Sequence, residues 1–291
     1  MHRTTYQYGL PMADGYTVAY LLARDTPQQH VVSTSIEVEP TPDELEEHVD
    51  VFGNRVSRIG MHHRHDHLVV TGSTVVEVTP PDLDLLASST ISWDDAAPRI
   101  WTLRGDAAIE VGPFGACTVA TPPLRVLANL VGDLFVPGKR LVDLVRDVSA
   151  RIHRDFWFDP SFSDVSTPLT AVIDARRGVC QDFAHLMIAC LRSYGLAARY
   201  VSGYIETDPP DGEPKLVGSD ASHAWCSVWI PDLGPSGGWL DADPTNDQVP
   251  PTRHVTAAWG RDYADVTPVR GVVIGPAAAQ TLDVGVDVTA I

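Results

Sequence analysis

One cysteine in the sequence stands where a thiol can become a nucleophile. Cys180 lies near the start of the segment Gly178 to Tyr194, whose apolar pattern predicts a helix that Gly195 closes. The first turn of a helix carries unpaired N–H groups and the positive end of the helix dipole, which favour a thiolate over a thiol. The backbone N–H of Cys180 is also placed to help hold a developing oxyanion. We therefore predict that Cys180 is a nucleophile.

His223 and Asp243 supply the base and the orienting carboxylate that such a thiol requires. His223 begins one predicted strand, His223 to Ile230, and Asp243 ends the next, Gly238 to Asp243; the two strands flank a turn containing proline and glycine. A hairpin centred on that turn would place His223 directly opposite Asp243, and opposed residues share one side of a sheet. The carboxylate would then fix the tautomer of the imidazole. Asp241 lies on the same face and competes for this role.

The remaining cysteines do not suggest a metal site or a disulfide framework. Cys190 and Cys226 fall inside a predicted helix and a predicted strand, where a buried and inert thiol is the usual outcome. Together with Cys117 they form no CxxC pair, which argues against structural zinc. Free thiols fit a reducing compartment, so we expect a cytoplasmic protein.

A histidine cluster offers a different hypothesis. The segment Met61 to His67 reads MHHRHDH, and on a strand His63, His65 and His67 would project to one face, as a metal site requires. No second carboxylate or cysteine completes that set. We predict a histidine-rich turn without a metal, and no other metal or cofactor.

The elements that must position these residues change character along the chain. Alternating and Val-rich segments predict successive strands from Tyr16 to about Cys117, consistent with an antiparallel β-sandwich. After Pro123 the period changes: apolar residues recur at helical spacing from Gly138 to Arg154, and the helix that begins near Cys180 is followed by strands. The second half is therefore predicted to be mixed α and β.

Composition limits the classes of function. The chain has 291 residues, 44% of them hydrophobic, with a formal net charge of -17 and only the lysines Lys139 and Lys215. A nucleic-acid partner is not expected, because phosphate backbones are bound by clustered basic residues. No apolar run approaches the roughly 20 residues that cross a bilayer, and no signal-peptide core follows Arg3, so we expect no membrane association.

Four ordered blocks resemble one known family. The segments GVCQDFAHL at Gly178, ARYVSGY at Ala198, SHAW at Ser222 and GWLDADPTN at Gly238 together resemble the bacterial transglutaminase-like superfamily. The resemblance extends over nearly the whole chain, because the β-rich first half is similar to the domain that precedes the catalytic core in bacterial members. It implies an α+β protein: an N-terminal antiparallel β-sandwich domain followed by a papain-like core.

The resemblance also implies roles and boundaries. By its motifs the nucleophile falls on Cys180, the base on His223 and the third member on Asp243 rather than Asp241. The expected domains are residues 1–115, a β-rich domain; 116–265, the catalytic core; and 266–291, a C-terminal tail or strand. Trp157 and Trp225 are candidates for walls of the cleft, although tryptophans of this kind also serve as ordinary core.

The predicted activity is cysteine-dependent acyl transfer on amide bonds through a thioester on Cys180. Water as acceptor gives peptide or isopeptide hydrolysis, as in a cysteine protease, and an amine as acceptor gives glutamine transamidation. The expected partner is a peptide or protein substrate with an amide side chain or isopeptide bond. The alternative is a non-catalytic binding module that retains the transglutaminase-like fold.

Overall fold

In the computed structural model, the first half of the chain forms six strands and then turns helical. The structure describes residues 1–207, 221–235, 237–276 and 279–291. The strands are β1 (His2–Met12), β2 (Asp14–Ala19), β3 (Gln29–Glu39), β4 (Glu44–Val49), β5 (Arg55–Met61) and β6 (His65–Val78). Short helices follow: α1 (Leu83–Ser88), α2 (Trp93–Ile100), α3 (Asp106–Val111) and α4 (Val126–Val131).

The prediction of strands as far as Cys117 is wrong beyond Val78. Asp82 and Ser92 are the reason that the chain starts helices there, because each accepts a hydrogen bond from the first turn of α1 or α2. Leu86 of α1 and Ala96 of α2 pack into the core of the second half, so these helices belong with that half rather than with the strands before them.

The second half contains longer helices and a third antiparallel sheet. Its elements are α5 (Leu141–Asp155), β7 (Trp157–Phe158), α6 (Leu169–Ala175), β8 (Arg177–Gly178), α7 (Cys180–Ser193), β9 (Ala198–Ile205), β10 (Ala221–Ile230), β11 (Gly238–Ala242), β12 (His254–Gly260), β13 (Val269–Ile274) and β14 (Gln280–Val286). The order in the third sheet is β11-β10-β9-β12. The predicted helix at Cys180 is confirmed, and Gly195 follows it with φ 80°.

The two N-terminal sheets pack into a sandwich that the end of the chain completes. Their strand orders are β14-β1-β6-β3 and β13-β2-β5-β4. Tyr8 and Leu68 from the first sheet share one core with Ile59 and Val269 from the second. The segment 266–291, expected as a tail or strand, thus supplies an outer strand to each sandwich sheet.

Helix α7 is the centre of the second domain. Leu186, Met187 and Cys190 have 0% exposure and pack with α5 and with one face of the third sheet, from which Ala224 and Val228 project. Because this packing fixes the axis of α7, it also fixes the point at which the first turn of the helix meets β10.

Among the residues that the structure describes, no helix is both long and apolar enough to span a membrane. The fold is α+β, with an N-terminal antiparallel β-sandwich followed by a mixed second half, as predicted.

Candidate active site

Local contacts place the Cys180 thiol on the first turn of α7. The carboxylate of Asp182 accepts the N–H of Val179 at 2.8 Å and the hydroxyl of Ser163 at 2.5 Å, so the helix start is capped from within. A Cβ on Gly178 would lie 2.6 Å from Oδ2 of Asp182. Glycine is therefore required at that position for the cap to form.

Cys180 is the partly exposed thiol of the second domain. Cys190 and Cys226 are fully buried, and burial raises the pKa of Cys190 to about 12 and the pKa of Cys226 still further. Cys117 is exposed on the surface. Cys180 instead lines a cavity of about 260 Å³ that also contains His223.

His223 and Asp243 meet directly. Nε2 of His223 lies 2.8 Å from Oδ2 of Asp243, and both side chains are buried. Burial disfavours the charged imidazole, but the hydrogen bond to Asp243 and the nearby Cys180 outweigh it and raise the pKa of His223 to about 10. The imidazole thus contacts the carboxylate and lines the same cavity as the thiol, which is the order of groups in an acyl-transfer triad.

The predicted register between β10 and β11 is wrong: each residue of β10 pairs with a residue of β11 two positions further along the chain than predicted. Ser227 opposes Asp241, and Cys226 opposes Ala242, which centres the turn near Gly234. Asp243 therefore lies diagonally across from His223. The error spans two residues, which preserves the side of the sheet, and diagonal neighbours are within reach of long side chains. Asp241 does not take part: its Oδ2 accepts the indole N–H of Trp225 at 3.2 Å.

Two further side chains hold Asp243, and sequence reasoning missed both. Nε2 of His254, at the start of β12, lies 3.0 Å from the carboxylate oxygen that contacts His223, and Nδ2 of Asn246 donates to it at 2.7 Å. The other oxygen accepts the backbone N–H of Thr245 at 2.9 Å. Burial opposes the charge of Asp243, but the hydrogen bonds from the two histidines hold its pKa well below its usual range. Asn246 lies within the GWLDADPTN block, whereas no sequence pattern points to His254.

His223, Asp243 and His254 could also hold a metal ion. Within the described part of the chain they form the one group of this kind, with ligand atoms within 4.8 Å of one another. Both imidazoles, however, direct Nε2 at the same carboxylate oxygen at hydrogen-bond distance, which suits proton sharing. The residues of the histidine cluster point to separate partners: Nδ1 of His63 lies near Asp43, that of His65 near a backbone carbonyl and that of His67 near Asp66.

Neither of the two tryptophans predicted as walls of the cleft lines the cavity around Cys180. Trp157 is 75% exposed on β7, and Trp225 is buried; neither lines the cavity that contains Cys180. The sandwich domain forms part of the wall instead, through Tyr6 of β1 and Leu282 and Val284 of β14. Sequence reasoning did not anticipate this, because the wall residues lie at opposite ends of the chain.

Comparison with known proteins identifies the family. Residues 1–77 match the bacterial transglutaminase-like N-terminal region, and residues 130–244 match the transglutaminase-like superfamily. An uncharacterized protein of Mycobacterium tuberculosis is 38% identical over 292 residues, covering 99% of this chain and 90% of the relative. The chain belongs to the transglutaminase-like superfamily.

Two further proteins match this chain over part of its length or in fold alone. A protein-glutamine gamma-glutamyltransferase of Pseudomonas aeruginosa is 40% identical over 140 residues, covering 45% of this chain and 19% of that protein. A crystal structure of a candidate cysteine protease from Cytophaga hutchinsonii superposes with a TM-score of 0.70 at 21% identity, over 100% of this chain and 91% of that one. That likeness confirms the predicted α+β fold with its papain-like core.

Proposed function

We propose that this protein is a cysteine-dependent acyl-transfer enzyme that acts on amide bonds of peptide or protein substrates. One observation carries the proposal: the partly exposed thiol of Cys180 shares a cavity with His223, which is bound to the buried carboxylate of Asp243. A binding module that had lost catalysis would not need to maintain these contacts, each of which costs desolvation of a polar group.

The geometry supports a reaction in two halves. The thiolate of Cys180 attacks the carbonyl carbon of the amide, and the first N–H groups of α7, which begins at Cys180, would stabilise the oxygen that becomes negative. Protonated His223 then donates its proton to the departing amine, and a thioester forms as the C–N bond breaks. In the second half His223 takes a proton from the attacking water or amine, which displaces the thiolate. Water gives a carboxylic acid and an amine gives a new amide.

The cavity itself supports a neutral substrate group at the reacting carbon. Its described lining contains no Asp, Glu, Lys or Arg, and includes Tyr6, Tyr200 and Leu282. His2 is uncharged at neutral pH because burial lowers its pKa to about 4, and the charge of His223 is balanced by the carboxylate of Asp243 that it contacts. An amide side chain or a peptide carbonyl beside an apolar residue fits these walls better than a charged group does.

Product masses test the proposal. Wild type and Cys180→Ala should be incubated with a library of glutamine- and glutamate-containing peptides, with and without added primary amine. We expect wild type to give either fragments that sum to the parent plus one water, which shows cleavage, or amine adducts formed with loss of ammonia, which shows transamidation. Cys180→Ala should give neither.

The exposed thiol of Cys117 provides the matched control. Cys117→Ala should retain full activity, whereas Cys180→Ala should lose it. Equal alkylation rates of Cys117 and Cys180 by iodoacetamide at neutral pH, with no product from any peptide, would instead support the non-catalytic binding module.

A further inference from the structure

A second cavity lies on the other side of the sheet from α7, and the proposed reaction does not use it. It has a volume of about 350 Å³ and is lined by Trp225, Trp239 and Trp259, with further walls from the sandwich domain and α1. We call it the tryptophan cavity. Its size is that of a small-molecule site.

The base of the tryptophan cavity carries a buried arginine whose N–H groups are unused. Arg199 is 5% exposed, and its guanidinium carbon lies 4.1 Å from the ring centre of Trp239 and 3.6 Å from that of Trp259. Within the described residues it donates no hydrogen bond, and its Nε is fully buried. Stacking against aromatic rings uses the faces of a guanidinium and leaves the N–H groups at its edge available. Burial lowers the pKa of Arg199 to about 9, yet the side chain stays charged at neutral pH.

Arg24, an arginine on the same stack, donates hydrogen bonds from its guanidinium, although its Nε is buried without a partner like that of Arg199. Its guanidinium lies 3.3 Å from the ring centre of Trp259, but it donates to the carbonyl of Phe52 at 2.8 Å and to the side chain of Asn54 at 2.6 Å. Arg24 does not line the cavity. Of these two arginines, Arg199 is the one that lines the cavity and donates no hydrogen bond within the described residues, and an unpaired buried cation is costly.

Acceptor groups lie beside Arg199 in the same row. Ser227 pairs with Arg199 on one side and with Asp241 on the other, so all three project from one face of the sheet. Among the described residues, the hydroxyl of Ser227 has no hydrogen-bond partner, and Asp241 is bound only by the indole N–H of Trp225. Glu110 adds a second acidic group at the exposed side of the cavity, whereas Asp82 is engaged in capping α1.

We propose that the tryptophan cavity binds a zwitterionic amino acid, or a dipeptide, that has an apolar side chain. The guanidinium of Arg199 would donate two parallel hydrogen bonds to the carboxylate of the ligand. Asp241 and Glu110 would receive the ammonium group. Leucine, proline and tryptophan side chains in the walls would cover the apolar side chain. Asp241 would repel a ligand that carries only a negative charge, and Arg199 would repel one that carries only a positive charge. The lining therefore favours a ligand with both charges.

Isothermal titration calorimetry on the full chain tests this inference without reference to catalysis. The probes are L-leucine, L-methionine and L-phenylalanine, together with N-acetyl-L-phenylalanine, phenylalanine methyl ester and phenethylamine. We expect at least one free amino acid to bind, and the three blocked or truncated derivatives to bind at least about tenfold more weakly, since each loses one charged contact.

Matched variants locate the site. Arg199→Met should weaken binding at least about tenfold, and Arg24→Met, on the same stack, should leave the dissociation constant unchanged. Glu110→Gln and Asp241→Asn provide a second route if Arg199→Met does not fold, and they should lower affinity for the free amino acid but not for the N-acetyl derivative. The inference is overturned if no free amino acid binds at millimolar concentration, if the derivatives bind equally well, or if these variants bind like wild type.

Discussion

At the scale of single residues, the candidate site depends on one buried carboxylate. Asp243 has 0% exposure and accepts hydrogen bonds from His223, His254 and Asn246 on one oxygen. A carboxylate that is satisfied in this way stays ionised, and an ionised carboxylate keeps the adjacent imidazole charged. The charge of His223 is therefore the property that mutations near Asp243 should change first.

Asp243→Asn should remove the charge of His223 at neutral pH. In the wild type the pKa of His223 is about 10, so the stability that its charge contributes is complete below about 6.5 and is lost as the pH rises through about 10. We expect the imidazole signal of the wild type to titrate near pH 10 by nitrogen-15 NMR, and that of the variant to titrate several pH units lower. Identical titration in both proteins would show that Asp243 does not set this charge.

His254→Ala should slow the reaction of the Cys180 thiol with iodoacetamide by about tenfold at neutral pH, because one charge-assisted hydrogen bond to Asp243 is lost. His65 is the control: it is equally buried but lies on β6, bound to a backbone carbonyl. His65→Ala should leave the alkylation rate of Cys180 unchanged, even if it lowers the melting temperature. A variant His254→Ala that alkylates at the wild-type rate would remove His254 from the site.

At the scale of elements, the start of α7 determines where the thiol of Cys180 lies. Asp182 caps the helix, Gly178 leaves room for that carboxylate, and the core residues of α7 hold the axis against β10. Neither strand spacing nor helix propensity alone would bring the first turn of α7 to His223. The alignment of helix and strand does so.

Gly178→Ala should damage this arrangement although it adds only a methyl group. The new Cβ would meet Oδ2 of Asp182 at 2.6 Å, so the cap must shift, at a cost of about 1–2 kcal/mol in the free energy of unfolding. Urea denaturation measures that cost, and iodoacetamide measures the accompanying loss of thiol reactivity. Gly112→Ala is the control, since a Cβ there meets nothing within 4 Å and the backbone is helical.

At the scale of the whole molecule, the cavity around Cys180 is shared between the domains. β1 and β14 pair with each other, and their residues Tyr6, Leu282 and Val284 line the cavity that contains the thiol. The sandwich domain is therefore expected to select substrates as well as to support the core. Its contribution should appear in substrate affinity more than in the chemical step.

Leu282→Asp should raise KM for a peptide with an apolar residue beside the reacting amide by about tenfold, while kcat changes little, since about 1–2 kcal/mol of apolar contact is lost. Val272→Asp is the matched control: it is an exposed apolar residue on β13 that does not line the cavity. Measuring KM and kcat of both variants with this peptide tests whether Leu282 contacts the substrate. Equal effects would mean that the wall does not touch the substrate.

The sequence by itself determined the helix at Cys180, the strands that carry His223 and Asp241, and the α+β class with its N-terminal sandwich. These features depend on local periodicity and on motifs, which are properties of neighbouring residues. The hairpin register was predicted one pair away from its observed position, because turn composition does not specify the pairing. The helices after Val78 were missed because we extended the strand pattern past the capping residues Asp82 and Ser92.

Only the tertiary structure decided what surrounds the triad. His254 reaches Asp243 because β12 pairs with β9, and the ends of the chain reach the cavity because β14 pairs with β1. The stack of Arg199 between Trp239 and Trp259 likewise joins three separate strands. Such contacts arise from the pairing of strands and the packing of domains, in which residues distant in sequence become neighbours. No local pattern encodes them, and for that reason they became visible only in the folded chain.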